Sequence, residues 1–128
     1  MNKQIEGAER IERLNATLYL ASCVPPGLID QGLWTCGMAH CIGGWCALSN
    51  WHQRRGMVAY HGRPRYADCF GEDAFAKFHG ITIREAKAIC IENTLLLGVA
   101  AKRDLIRKLK ALIRQYGGDV MYSPGPEK

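Results

Sequence analysis

The stretch Ala39-His40-Cys41-Ile42-Gly43-Gly44-Trp45-Cys46-Ala47-Leu48 constrains the fold more than any other. A helix built from it, predicted over 38–52, is apolar almost all round. Such a helix has no face to give to water and must be wrapped by the rest of the chain. Gly43 and Gly44 cost such a helix about 1 kcal/mol each relative to alanine. That cost is tolerable where the missing side chains let another backbone come close.

The flanking segments supply the wrapping. Ile11, Leu14, Leu18 and Ala21 recur at helical spacing and predict a first helix over 5–23, stopped by Pro25-Pro26-Gly27. Leu28, Leu33 and Trp34 anchor a connector. Phe75 and Phe78 mark a third helix over 72–79, closed by Gly80. Thr82 and Glu85 then fit a capping box that opens a fourth, with Ile83, Ala86, Ile89 and Cys90 on its apolar face. Leu105, Ile106, Leu109, Leu112, Ile113 and Tyr116 give the clearest pattern in the chain, a helix over 99–116 ended by Gly117-Gly118. Residues 53–69 are the least regular, and Met57 to Tyr60 suit a short strand, so a β-hairpin is expected within 56–68. The fold class read from these signals is mostly α. It is a compact single-domain bundle of about five helices around the Gly-Gly helix. The domain covers 1–122, with a flexible tail over 123–128.

At 128 residues the chain can bury a core without staples. The charged, helix-like start lacks the apolar run of a signal peptide, and the longest apolar stretch, Leu95 to Ala101, is too short for a bilayer. The expectation is a cytoplasmic protein, off the membrane, with its six cysteines reduced.

Cys36-Gly37-Met38-Ala39-His40-Cys41-Ile42-Gly43-Gly44-Trp45 follows a leading helix and a Pro-containing connector, and precedes Ala74 to Ala86 with its Gly80-Ile81-Thr82-Ile83-Arg84-Glu85-Ala86 core. This arrangement, over roughly residues 10–90, resembles a set of small uncharacterised bacterial and phage proteins with a Cys-Gly-x-x-x-Cys-x-x-Gly-Trp helix. The resemblance implies a phage or mobile-element accessory protein. It carries over no catalytic residue.

Zinc needs four N or S donors converging on one point. Cys36 and His40 lie one helical turn apart, Cys41 and Cys46 point in different directions, and Cys41 and His52 are separated along the axis. One helix therefore supplies no complete site; Cys23, Cys69, Cys90 or His61 would have to contribute. Cys36 near a helix start with His40 one turn on is the pairing a thiolate nucleophile needs, but no carboxylate occurs between Asp30 and Asp68 to orient it. Buried free thiols are the simpler reading. No catalytic residue, metal ligand or cofactor is assigned.

The net charge of +5 is unevenly placed. Arg54, Arg55, Arg63 and Arg65 stand without an acid in 51–66. Lys102, Arg103, Arg107, Lys108, Lys110 and Arg114 face only Asp104 in 100–116. Arg103, Arg107, Lys110 and Arg114 form one stripe on the last helix. His52, Tyr60, His61 and Tyr66 interleave with the loop arginines, and aromatic plus Arg suits either base stacking or a protein interface. Residues 74–90 also scan as a helix-turn-helix, with Ala76, Gly80, Ile83 and Ile89 at the small, turn and core positions. Thr82, Arg84, Glu85 and Lys87 would then face the major groove. The binding residues read from sequence are Arg54, Arg55, Tyr60, Arg63, Arg65, Arg103, Arg107, Lys110 and Arg114. The function read is a non-enzymatic interaction protein, a phage-type accessory that binds a host or phage protein through a basic face. The alternatives are a nucleic-acid-binding protein and a Cys/His metal-binding protein or thiol enzyme.

Overall fold

A computed structural model describes residues 4–29, 41–61, 63–90 and 98–121. Within them the chain runs α1 (Gly7–Cys23), a 3-10 turn (Pro26–Leu28), α2 (Ile42–Leu48), α3 (Asn50–Gln53), β1 (Val58–Tyr60), β2 (Arg63–Tyr66), β3 (Cys69–Phe70), α4 (Gly71–His79), α5 (Ile83–Cys90) and α6 (Gly98–Gln115). The mostly helical domain and the short hairpin expected within 56–68 are both present. Cys36, His40, Leu33, Trp34 and the 123–128 tail lie outside the described residues.

Proline ends α1 as expected. Val24, held extended before Pro25, cannot continue the helix. The apolar faces of α1 and α6 meet, and Leu14, Leu18, Leu105, Leu109 and Ile113 are fully buried. Each contributes roughly 2 kcal/mol by leaving water. Lys102 and Lys108 of α6 are spent on this packing: one Nζ donates to the Ser22 and Val24 carbonyls, the other to Ala88. Trp45 Nε1 donates to the Leu28 carbonyl and ties α2 to the 3-10 turn.

The single helix predicted over 38–52 is corrected by the structure. Helix α2 stops at Leu48, Ser49 is extended, and α3 begins afresh. The Ser49 hydroxyl accepts from the His52 backbone N–H, so a capping serine wins locally over continued helix. In an unbroken helix Cys46 and His52 would point about 120° apart. The break brings both into the core, where each is buried.

Gly80 joins α4 to α5 in the left-handed conformation at φ 72°, and its carbonyl accepts from Arg10 Nε. A Cβ there would overlap the Ile5 carbonyl, so only glycine fits. The capping box that follows forms as read: Thr82 Oγ1 accepts from the Glu85 N–H, and Glu85 accepts from the Thr82 N–H.

The sheet is antiparallel in the order β1-β2-β3 and is backed by α4 and α2. Val58 pairs with Arg65, Ala59 with Pro64, Tyr60 with Arg63, and Arg65 with Phe70. Proline in a central strand normally removes a ladder bond. Pro64 lies one position from the hairpin's closing pair, so its nitrogen faces away from β1, and it lies beyond the end of β3. Its missing N–H is not asked for.

Candidate functional site

Strand alternation sorts β2 cleanly. Pro64 and Tyr66 turn inward, with Tyr66 edge-on to Phe78, while Arg63 and Arg65 stand in solvent. Cross-strand pairing sets Val58, Tyr60 and Phe70 beside them on the outer face. Tyr60 and Phe70 are both more than 40% exposed, at 45% and 43%, and their ring centroids are 5.4 Å apart. The Arg65 guanidinium lies 5.5 Å from the Tyr60 ring and 5.6 Å from the Phe70 ring. Arg63 and Arg65 make no ion pair among the described residues, whereas Asp68 at the next turn is engaged by Lys77.

The other residues read as binding groups are less united. Arg54 is exposed at the end of α3. Arg55 is half-buried, stacked 3.5 Å over Trp51 and bonded to the Trp51 carbonyl. Arg103, Arg107 and Arg114 are exposed on α6 and Lys110 is half-buried. Arg107 pairs with Asp104. Helix α6 is backed by α1, the 3-10 turn and α5, so the two basic stretches rest on different parts of the fold. In the 74–90 hairpin, Glu85 is taken by the capping box, by Gln115 at the end of α6 and by Tyr116 just beyond it. It is therefore not free to read a groove.

Two residues placed by sequence among the loop aromatics belong elsewhere. Tyr66 is half-buried against Phe78, and His52 is a core residue at 1% exposure. His52 joins a second site that local spacing missed, made with Thr17 of α1, Cys46 of α2 and His79 of α4. Thr17 Oγ1 lies 2.9 Å from His52 Nε2, 2.6 Å from His79 Nε2 and 3.7 Å from Cys46 Sγ. Proton directions follow from the ends of the chain of bonds. His79 Nδ1 donates to the Phe75 carbonyl at 2.8 Å, so its Nε2 accepts from the Thr17 hydroxyl. Thr17 then accepts from His52 Nε2–H, and His52 Nδ1 accepts from the Ser49 hydroxyl at 2.7 Å.

Burial holds both imidazoles neutral. Desolvation, then the charges of Arg55 and Arg13, lowers His52 to about 4. Desolvation lowers His79 to about 3, the Phe75 carbonyl opposing it and His52 and Arg13 adding to it. The Cys46 thiol is pushed far up by desolvation, which outweighs its contact with the Thr17 oxygen, and stays protonated. Arg13 is itself buried, 4.4 Å over the Phe78 ring, bonded to the Phe78 carbonyl and to Glu9. Cys46, His52 and His79 are the described residues whose donor atoms group closely enough to hold a metal. Cys46 and His52 stand out in the sequence as possible donors, but no local spacing points to Thr17 or His79. Cys41 and Cys90 are buried and in no disulfide, and Cys23 and Cys69 reach the surface.

The chain matches no protein-family model, no curated protein and no solved structure. No helix among the described residues is long and apolar enough to cross a membrane.

Proposed function

We propose that this is a non-enzymatic binding protein whose sheet face takes single-stranded nucleic acid. The observation that carries the reading is the cluster of Tyr60, Phe70, Arg63 and Arg65 on one exposed face, its cations unpaired among the described residues. Exposed rings stack on bases whatever the sequence, at roughly 1–3 kcal/mol per base, and neighbouring arginines neutralise phosphates. The occupant suited to that combination carries both π-faces and regularly spaced negative charge. A protein partner presenting an acidic patch, the reading led by sequence alone, offers the charge without the stacking.

Anisotropy of a labelled single-stranded oligonucleotide tests it. Affinity is expected to fall with salt, with a slope near −0.7 per phosphate neutralised, and Arg65→Ala is expected to remove about one such unit. Tyr60→Ala is expected to weaken binding about tenfold or more at fixed salt. Binding to an acidic polypeptide with no binding to any oligonucleotide would assign the face to a protein partner instead.

A further inference from the structure

Two of the four histidines in this chain meet in the core with a cysteine, which is an expensive use of polar groups. We infer that Cys46 Sγ, His52 Nε2 and His79 Nε2 form a binding site for one divalent ion of the zinc class, with the Thr17 oxygen completing the donor set. Four features carry this. The three donor atoms lie within 4.8 Å of one another and all three residues are buried. The set is two imidazoles and a thiol, with no carboxylate, which suits zinc or cobalt and not calcium or magnesium. Each ring is anchored through its far nitrogen, His79 by the Phe75 carbonyl and His52 by the Ser49 hydroxyl. That is the outer support by which metal-binding imidazoles are aimed. Finally, a surface cavity of about 310 Å³, lined by Tyr19, Leu20, Cys23, Trp51, Ser49 and His52, borders the cluster on its His52 side.

Metal–nitrogen and metal–sulfur bonds of ~2.0 and ~2.3 Å hold tetrahedral donors roughly 3.3–3.7 Å apart. Thr17 already lies 3.7 Å from Cys46, and its 2.6 and 2.9 Å contacts to the rings are shorter. The cluster therefore opens by about half an ångström at the histidines to admit an ion. On binding, the Cys46 thiol releases its proton to solvent and the sulfur lone pair goes to the metal. The His52 proton moves from Nε2 to Nδ1, where the Ser49 hydroxyl turns its own proton away and accepts it, and Thr17 keeps its proton, turned away from His79 Nε2, as its neutral oxygen meets the ion. The dication and the thiolate leave one net positive charge near Arg13, whose own charge is balanced by Glu9.

Co²⁺ titration of untagged, chelator-treated protein, followed by absorbance, tests the site. One equivalent is expected to produce visible d–d bands and a near-ultraviolet thiolate-to-cobalt band, both displaced by Zn²⁺, and Zn²⁺ is expected to raise Tm. Cys46→Ser keeps the shape and the bond to Thr17; it is expected to fold, to lose the near-ultraviolet band and to bind Co²⁺ at least about tenfold more weakly. Folded wild-type protein that shows no d–d bands and no change in Tm overturns the inference. So does a Cys46→Ser protein with an unchanged cobalt spectrum, because the ion would then sit elsewhere.

Discussion

Arg13 and Arg65 both lie over aromatic rings, yet they do opposite work. Arg13 is buried, stacked on Phe78 and tied to the Phe78 carbonyl and to Glu9. Arg65 is exposed between Tyr60 and Phe70. The same contrast holds for the regions around them. The interior cluster of Thr17, His52 and His79 is a closed chain of hydrogen bonds, whereas the outer sheet face leaves its cations to solvent. Residue type did not decide this. A helix break at Ser49 and the two-residue period of β2 did, by turning chemically similar side chains to opposite sides of the surface.

The largest expected effect lies inside. An imidazole whose ordinary value is 6.5, and which the fold holds at about 4 or about 3, takes its proton far more readily once unfolded. Stability is therefore complete above pH ~6.5 and drains as pH falls below it. From about pH 7.5 to about pH 5 the two histidines together remove on the order of 4 kcal/mol from the metal-free protein. Urea midpoints across that window check this. A flat profile would place the pair in water and end the contrast between the two regions.

A matched pair of arginine deletions comes next. Arg13→Ala strips the Phe78 carbonyl and Glu9 of their partner and opens space beside the ring, for a loss of roughly 3 kcal/mol. Arg65→Ala is expected to stay within about 0.5 kcal/mol of wild type. Chemical denaturation measures both. Equal losses would mean that Arg65 is structural and that the sheet face is not free for a ligand.

Thr17→Val sharpens the interior half. It keeps shape and removes the hydroxyl that serves both Nε2 atoms, leaving buried ring nitrogens without partners. A loss of roughly 2 kcal/mol in metal-free protein is expected. A neutral result in calorimetry would show that the rings repack around another donor.

The helices that rest on one-dimensional pattern were legible. Leu105 to Tyr116 mark α6, Gly80 and the Thr82–Glu85 box mark the α4–α5 joint, and Pro25 marks the end of α1. The outer sheet face was half legible. Tyr60, Arg63 and Arg65 stood out as a cationic aromatic run, but Phe70 joins them only through the β2–β3 pairing, which composition does not encode. Of the buried cluster, Cys46 and His52 were legible as possible donors, but their assembly with Thr17 and His79 was not. Thr17 and His79 are 62 positions apart, and no local period links them. The α2–α3 region misled because its apolar residues favour a continuous helix, while a single serine cap was enough to end it.

The smallest expected effect concerns the joint that presents the outer face. Ala67 turns β2 into β3 at φ 57°, a left-handed conformation that costs a side-chain-bearing residue about 1–2 kcal/mol. Glycine relieves that strain but adds freedom to the unfolded chain, returning about half of the gain. Ala67→Gly is therefore expected to stabilise by roughly 0.5–1 kcal/mol. Because Phe70 belongs to β3, the strand that this turn opens, the same change tests whether the face depends on a held geometry. If the strain fixes where Phe70 stands relative to Arg65, relaxing it raises Tm and weakens oligonucleotide binding together. If Tm rises while affinity is unchanged, pairing with Arg65 alone positions the ring, and the turn serves only to close the sheet.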